Sequence, residues 1–483
     1  MTAAVDDTLE ALLSAAAAIW PAPARVESPD DAQPHPSDRS DESQSHESMP
    51  ADPATVRQPA DQNDPPAPST QHDGPEEREP VTELLVVPSL ARPRLVVPAN
   101  APRVAAAAFT RDSDDVSTRT RLVRAVAARA LRVPGVASVL RHPRSLGSRD
   151  NRSNRLTVTV PGGAVVRSLQ RRLSELVDTD VQLCFGVGSP RANRKPVVQA
   201  VDQAGRTVAW TKLGLDAVSR DLVRGEAEAL RAFWSEKRPL RHLEAPRVLY
   251  AGPWGDAELL VLSPLRPASR PVGGRGSREQ TADVPAYAAS AGSPTLAERP
   301  RRGQLPREAM NELGERLGTE IRPLADTEFW RKIRKVPELA DPAAMVEAEY
   351  GQRMVMLGSW HGDWTPWNMR TDRNRVLLWD FERFAYGVPV GLDVAHFRFQ
   401  SALHTGGERA AERLLIDGPL VDEPGGELLT SAYLLELARR WVRAAEPDTG
   451  APLRARAGWL LRVLEAWLPR GPEDWTTEPV QDR

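Results

Sequence analysis

The chain has very little cysteine. Its 483 residues include one, Cys184, which excludes a disulfide framework and a zinc site built from cysteines. It also lacks a continuous apolar run of roughly 18 residues, the length that a membrane-spanning helix needs, so we expect no integral membrane association. The first 20 residues are partly apolar but contain no lysine or arginine, which makes them a poor secretory signal. These absences predict a cytoplasmic protein.

Lysine is the second shortage. Only five lysines occur, at positions 195, 212, 237, 332 and 335, although lysine and arginine together number 63. Because the composition favours arginine so strongly, a remaining lysine is slightly favoured as a residue with a specific role.

Acidic residues and prolines concentrate at the N-terminus. Residues 1–80 contain 17 acidic residues, four arginines and 13 prolines. Such a composition buries too little apolar surface to offset chain entropy, so we expect a disordered tail. Residues 6–20 are the exception, since their apolar run with preceding acids can form a short helix.

Basic charge concentrates further along the chain. Residues 119–172 contain 13 arginines and one acid, Asp150. This balance favours an anionic partner such as nucleic acid, a phosphorylated polymer or an anionic membrane surface. A solvated basic face is the alternative in a chain this rich in arginine. A third hypothesis is that the acidic tail folds back onto this segment.

The pattern of strands, helices and breakers divides the rest of the chain. Residues 81–178 predict a small α/β module that includes the arginine-rich stretch. Five strand-like runs around one helix follow in residues 179–266. Residues 267–305 are rich in Gly, Pro, Ser and Arg and predict a flexible insert. Residues 306–470 are mainly helical, and residues 471–483 form a tail.

One segment of the helical half carries residues suited to chemistry. It reads His361-Gly362-Asp363 and continues to Asn368, and the next strand-like run ends at Asp380. A loop closed by two strands can bring an acid, an amide and a second acid to one point. That set suits one general base together with oxygen ligands for a hard cation such as Mg²⁺.

This spacing resembles the catalytic loop of the aminoglycoside phosphotransferase and choline kinase-like family, which has the protein-kinase-like fold. His361, Asp363 and Asn368 match the family pattern H-x-D-x-x-x-x-N, and Asp380 occupies the position of the family's metal-binding acid. The downstream G-x-P-x-x-D pattern is also matched, with one extra residue before its acid, by Gly387, Pro389 and Asp393.

The resemblance implies an α+β, two-lobed protein-kinase-like fold. A small β-rich N-lobe in residues 179–266 precedes a mainly helical C-lobe. It also implies that Asp363 accepts the proton of an attacking hydroxyl, while Asn368 and Asp380 hold Mg²⁺ on the phosphates of ATP. The implied reaction transfers the γ-phosphoryl group to a small-molecule hydroxyl, on an aminoglycoside, a sugar, an amino alcohol or a related metabolite.

His361 and Asp393 are expected to brace the loop rather than to react. Two tryptophans inside the loop, Trp364 and Trp367, can either pack in the core or stack on a sugar or cation in the acceptor site.

The same resemblance identifies a nucleotide-binding end. Lys212 lies at the end of a strand in the run VAWTK, which resembles the family's V-A-x-K with one extra residue, and it can pair with the α and β phosphates. Glu226 lies 14 residues later on a predicted helix and is the expected partner of that lysine, with Glu228 as a rival. The backbone of residues 259–265 is expected to bind the adenine.

A glycine-containing turn separates the first two strands of the predicted N-lobe. Gly186 and Gly188 permit close approach of the backbone to phosphate, and Arg191 and Lys195 are expected to reach the phosphates. Since a lone G-x-G is a weak signal, a solvent-facing hairpin tip is the alternative.

Two alternatives to a small-molecule kinase follow from the same residues. In protein kinases the catalytic loop carries H-R-D, whereas Gly362 stands at the position of that arginine, and too few residues separate Asp380 from Asp393 for a long activation loop. This favours a small acceptor. The other alternative is a nucleotide-binding pseudokinase or regulatory module whose basic residues 119–172 bind an anionic partner.

Overall fold

A computed structural model describes residues 3–22, 24–27, 78–90, 92–109, 126, 128–129, 154–162, 168–186, 195–265, 305–372, 375–446 and 451–468. Several predictions lie outside these residues: those for most of the acidic tail, most of the basic segment, nearly all of the insert and the C-terminal tail, and those for Gly188 and Arg191.

The strands are numbered in chain order. They are β1 Arg25–Glu27, β2 Arg78–Ser89, β3 Arg92–Pro98, β4 Arg155–Pro161, β5 Val181–Gly186, β6 Val197–Asp202, β7 Thr207–Gly214, β8 Leu243–Glu244, β9 Val248–Trp254, β10 Ala257–Leu262, β11 Glu320–Pro323, β12 Met354–Trp360, β13 Met369–Asp372, β14 Arg375–Leu378 and β15 Ala385–Pro389.

The helices are numbered in the same way. They are α1 Ala3–Ile19, α2 Pro102–Phe109, α3 Leu169–Val177, α4 Ala217–Ser235, α5 Arg307–Gly314, α6 Glu328–Arg334, α7 Ala340–Tyr350, α8 Leu392–Ile416, α9 Gly426–Ala445 and α10 Ala451–Trp467. Among the residues that the structure describes, no helix is long and apolar enough to cross a membrane.

The N-terminal half is built on one nine-stranded sheet. Its strand order is β1-β4-β2-β3-β5-β6-β7-β10-β9, and each neighbouring pair is antiparallel. The last five strands and α4 are the five strands and one helix predicted for the N-lobe. Helix α4 begins at a capping box, in which Ser219 N donates to Asp216 Oδ1 (2.8 Å) and Asp216 N donates to Ser219 Oγ (3.0 Å).

The predicted boundary between the α/β module and the N-lobe is wrong. Strand β3 pairs with β5 through Leu95 with Gly186 and Val96 with Phe185, so the sheet runs without a break across residues 178–179. The two parts also share a hydrophobic core. The physical reason is that β5 otherwise presents a row of unpaired backbone groups at a sheet edge, and β3 satisfies part of it.

The short helix expected at residues 6–20 is present as α1, whereas the expected disorder is wrong for residues 25–27 and 78–80, which lie in strands. Helix α1 packs against the sheet with Leu12 and Ile19 fully buried, and the Trp254 indole donates to the carbonyl of Ala18 (2.7 Å). Strand β1 pairs with β4. The apolar residues of α1 are buried against the sheet. This burial stabilises the helix, and the composition of the segment alone does not indicate it.

The C-terminal half consists of the six helices α5 to α10 and two small sheets. The sheets have the strand orders β11-β12-β15 and β13-β14-β8. Strand β8 comes from the segment between α4 and β9, and it pairs in parallel with β14 through Leu243 and Val376. A backbone ladder therefore joins the N-lobe segment to the hairpin that follows the catalytic loop. This confirms the predicted two-lobed α+β architecture.

Neighbouring leucines in α1 test its packing. Leu12 is fully buried, whereas Leu13 is 37% exposed. We expect Leu12→Ala to lower the free energy of unfolding by about 2 to 5 kcal/mol, since it leaves a cavity against the sheet. Leu13→Ala should change it by less than about 0.5 kcal/mol. Urea denaturation measures both. Equal small effects would mean that α1 does not pack on the sheet in solution.

Candidate active site

The loop after β12 is fixed by its backbone. Asp393, in the first turn of α8, accepts hydrogen bonds from the backbone N–H groups of His361 (2.8 Å) and Gly362 (3.1 Å). His361 Nε2 lies 3.1 Å from the carbonyl oxygen of Trp379, and its ring packs on Phe381. Both residues are buried, and burial raises the pKa of Asp393. This is the bracing arrangement expected from the sequence.

Both carboxylate oxygens of Asp363 have partners. Asn368 Nδ2 donates to Oδ2 (2.9 Å), and His396 Nε2 lies 3.2 Å from Oδ1. Tyr433 continues the chain of contacts, since its hydroxyl lies 3.4 Å from His396 Nδ1. Burial raises the pKa of Tyr433, so its phenol keeps the proton and can donate to His396. His396 and Tyr433 are buried, while the side chain of Asp363 is 35% exposed and open to a reactant.

Lys212 forms the second centre of the site. Its Nζ lies 2.7 and 2.5 Å from the two carboxylate oxygens of Glu226 and 2.5 Å from Oδ1 of Asp380. Glu226 is fully buried on α4, whereas the rival Glu228 is exposed. The structure thus brings Lys212, Glu226 and Asp380 together and leaves Glu228 in solvent.

Burial and neighbouring charges act in opposite directions on the pKa values of Lys212 and Asp380. Burial acts to lower the pKa of Lys212, but the carboxylates of Asp380 and Glu226 outweigh it and raise that pKa. Burial acts in the opposite sense on Asp380, where the charge and hydrogen bond of Lys212 prevail and lower the pKa to about 2. Lys212 and Asp380 are therefore both ionised at neutral pH.

Asp380 has an unusual backbone. Its φ is +72° and its ψ is +57°, in the left-handed region that non-glycine residues seldom adopt. The chain turns here directly into a short 3₁₀ helix, and the N–H of Phe381 donates to Glu226 Oε1 (3.3 Å). Phe381 also contacts Phe233 of α4, with ring centroids 5.4 Å apart. This turn connects α4 to the loop that carries Asp380.

Lys195 also lies at this site. It immediately precedes the β6 region, is mostly buried, and forms an ion pair with Glu382. Burial, with a smaller contribution from the charge of Lys212, lowers the pKa of Lys195 to about 8. Gly186 is the last residue of β5 and pairs within the sheet. Glu382 was not predicted as a site residue, although its position two residues after Asp380 is a usable signal.

The oxygen donors fit a magnesium ion. Nδ2 of Asn368 is used by the main chain and carboxylate of Asp363, which leaves its amide oxygen to act as a ligand, and the carboxylate of Asp380 is the second oxygen donor. Across the described ranges no group of three or more His, Cys, Asp or Glu side chains forms a metal cage. Mg²⁺ is commonly held by one or two protein oxygens together with substrate phosphates, so two donors suffice.

The two tryptophans of the loop lie in different environments. Trp364 is fully buried, and its indole donates to the sulfur of Met369 (3.1 Å), so it belongs to the core. Trp367 is half-buried, with its ring centroid 4.8 Å from that of His404. Trp367 is therefore the one of the two that remains available for stacking on a ligand.

Sequence reasoning missed the contacts that α8 and α9 make to this loop. Besides His396 and Tyr433, Arg440 is involved: its Nη1 donates to the carbonyl of Gly362 (2.6 Å), and its guanidinium lies 4.3 Å from the centre of the Trp360 ring. Nε of Arg440 in turn donates to Oε1 of Glu436 (2.8 Å). Buried polar residues inside otherwise apolar helices are the only signal that the sequence offers for these residues.

Two glycines with the same backbone twist test the packing of the loop. Gly362 has φ +75°, and a Cβ there would lie 2.5 Å from the carbonyl oxygen of Arg383. Gly387 has φ +74° with nothing within 4 Å of such a Cβ. We expect Gly387→Ala to cost about 1 to 2 kcal/mol of unfolding free energy. Gly362→Ala should lower the free energy of unfolding by clearly more, as measured by urea denaturation. Equal losses for the two variants would show that the loop can move to accommodate the added Cβ.

The comparisons with known proteins add similarities of structure only. No family model and no curated protein matches the chain. One similar solved structure is a thermostable mutant of aminoglycoside phosphotransferase APH(4)-Ia in a ternary complex with ADP and hygromycin B (15% identity, covering 62% of this chain and 99% of the other, TM-score 0.36).

Two further solved structures are similar to the chain. One is a choline/ethanolamine kinase family protein from Mesorhizobium loti (13% identity, 58% and 86% coverage, TM-score 0.31). The other is an aminoglycoside phosphotransferase from Alicyclobacillus acidocaldarius (16%, 58% and 89%, TM-score 0.27). They are the kinds of protein that the catalytic-loop pattern resembles. At these identities and TM-scores they carry no functional argument, and the two-lobed α+β fold rests on the architecture of this chain itself.

Proposed function

We propose that the chain is an ATP- and Mg²⁺-dependent phosphotransferase that transfers the γ-phosphoryl group of ATP to a hydroxyl of a small molecule. The observation that carries the proposal is the arrangement of Asp363. Its carboxylate is partly exposed, and both of its oxygens are positioned, by Asn368 and His396. Such a carboxylate is suited to accept the proton of a bound hydroxyl.

The proposed reaction divides between the two centres of the site. The acceptor hydroxyl gives its proton to Asp363 as its oxygen forms a bond to the γ-phosphorus. The bond from that phosphorus to the β–γ bridging oxygen breaks, and ADP leaves. Asn368 and Asp380 would hold Mg²⁺, which neutralises charge on the phosphates. Lys212 and Lys195 supply positive charge on the same side of the site.

Several features support a small acceptor. Between Asp380 and Asp393 lie only a 3₁₀ turn, strand β15 and a short turn, so the chain has no long loop there to position a peptide. Trp367 offers a half-buried aromatic surface next to the catalytic loop. Aminoglycosides, sugars, amino alcohols and related metabolites all present hydroxyls suited to this reaction. The main chain of residues 259–265, in and just after β10, is where we place the adenine. An ATP-dependent reaction agrees with the predicted cytoplasmic location.

Nucleotide binding is tested by thermal unfolding with and without Mg²⁺ and ATP. Ligand at 100 times its dissociation constant should stabilise the wild-type protein by about 2.7 kcal/mol. Asp380→Asn should lose the Mg²⁺-dependent part of this shift, since it removes a metal ligand. Asp326→Asn, an exposed aspartate at the end of a 3₁₀ turn in the other small sheet region, is the matched control and should keep it.

The outcomes separate the enzyme from a pseudokinase. In an acceptor screen, Asp363→Asn should bind nucleotide normally and transfer no phosphoryl group. A wild-type protein that binds Mg²⁺ and ATP but phosphorylates no hydroxyl compound in the screen would favour the pseudokinase. A wild-type protein without any shift for ATP or GTP would overturn nucleotide binding altogether.

His396 is proposed as a positioning residue for Asp363. His396→Ala removes the partner of Asp363 Oδ1, so we expect kcat to fall by up to about a hundredfold while KM for ATP stays unchanged. His396→Asn, whose amide can still donate, should recover part of the loss. Tyr433→Phe keeps the packing and removes the hydroxyl that contacts His396, so it should give a smaller fall.

The control for this series is His242→Asn, since His242 is part of the link to β14 and far along the chain from the loop. It should leave kcat unchanged. A parallel fall in kcat and in thermal stability for His396→Asn, without recovery relative to alanine, would assign His396 a purely structural role.

A further inference from the structure

A concave site apart from the candidate active site lies at the C-terminal end of α4. It is a cavity of about 410 Å³, a volume within the range of small-molecule sites, and none of its lining residues belongs to the candidate active site. Eight residues separate Glu226 from the lining residue Trp234, which places the cavity about 12 Å along the helix from the active-site glutamate. Five cationic side chains line it: Lys237, Arg238, Arg247, Arg316 and Arg375.

The carboxylates of the cavity do not balance this charge. Two line it, and Glu244 is already paired with Arg375 (2.5 Å). The other, Glu236, accepts the backbone N–H of Arg238 (2.9 Å). Within the part of the chain that the structure describes, no carboxylate forms an ion pair with the other four cations. Like charges gathered around a concave surface focus a positive potential there.

The hydrogen-bond partners of Arg316 are carbonyl oxygens and not carboxylates. Its side chain is almost fully buried, and the residue is 2% exposed. It donates to the carbonyl oxygens of Phe233 (2.9 Å), Arg238 (2.5 Å) and Glu236. These carbonyls satisfy its hydrogen-bonding groups but carry no net charge, and the nearby carboxylates of Glu236 and Glu312 act on the guanidinium without forming an ion pair with it. The same bonds fix the backbone of residues 236–238, which carries Lys237 and Arg238.

The side chains of two further arginines of the cavity are held in place by protein contacts. The guanidinium of Arg247 lies over the Trp234 ring, 3.9 Å from its centre, and the Trp234 indole is itself fixed by the carbonyl of Pro246 (2.9 Å). Arg375 donates through Nη2 to Leu243 and Glu244, but its Nε is buried without a hydrogen-bond partner among the described residues.

We propose that this cavity binds a small, multiply charged phosphorylated molecule. A phosphate group offers several oxygens to the planar forks of arginine, and more than one negative charge is needed to balance the unpaired cations. The site is separate from the proposed ATP site, and its existence does not depend on phosphotransferase activity.

Inorganic pyrophosphate is the probe, used with the full-length protein in the absence of Mg²⁺. Isothermal titration calorimetry should show saturable binding. The double variant Lys237→Gln/Arg247→Gln should weaken it by at least about tenfold, because it removes two positive contacts that have no structural ion pair to break. Arg322→Gln, an exposed arginine on β11 paired with Glu320, is the matched control and should bind like the wild type.

The arms of the experiment separate this site from the ATP site. Thermal unfolding of the double variant should keep the wild-type response to Mg²⁺ and ATP, with a midpoint only slightly lowered by loss of the contact between Arg247 and Trp234. Pyrophosphate binding that is unchanged in the double variant, or absent in the wild type, overturns the proposal. Binding of a single-stranded oligonucleotide in place of pyrophosphate, lost in the same double variant, would overturn it in favour of a nucleic-acid surface.

Discussion

The ammonium group of Lys212 is the contact on which the rest of the site depends. It lies between the carboxylates of Glu226 and Asp380, which come from α4 and from the turn after β14. A buried charge is tolerated only when it is paired, so each of the three groups requires the other two. The pairing therefore fixes the position of α4 against β7 and draws the C-lobe segment that carries Asp380 up to the N-lobe. The N–H of Phe381, bound to the same glutamate, adds a second fixed point.

The catalytic loop is held from a different direction. Its backbone N–H groups bind Asp393, its Gly362 carbonyl binds Arg440, and the carboxylate of Asp363 contacts His396. These partners belong to α8 and α9, so the helical half of the molecule has a direct role in orienting the proposed base. The cavity at the other end of α4 is also held by contacts between the lobes. There Arg316 donates to carbonyl oxygens at the end of the helix and in the loop after it, and we propose that the positive charge of the cavity binds a ligand.

The N-terminal part of the chain extends the sheet instead of forming a separate unit. Strand β3 continues it from β5, and α1 covers one of its faces through Leu12 and Ile19. An open edge next to the proposed nucleotide-binding strands is thereby removed, which suppresses pairing with other chains. This part of the molecule gives the N-lobe a larger core than its five strands and one helix would bury alone.

Local features were predictable because their signal lies within a short stretch of sequence. The order of strands and α4 in the N-lobe, the spacing of Asp363 and Asn368, and the offset from Lys212 to Glu226 all belong to this class. The choice of Glu226 over Glu228 came from the resemblance to the family, and the structure places Glu226 at Lys212.

The tertiary structure alone decided which distant segments meet. His396 and Arg440 lie 33 and 78 residues from their partners in the loop, and Tyr433 lies 37 residues from His396. No periodicity in one sequence reports such contacts. Whether α1 is buried depends on the sheet that it meets, not on its own composition. Pairing across a sheet and packing between lobes are set by the free energy of the whole chain, whereas the sequence by itself determines the local periodicities and the reactive groups that this packing brings together.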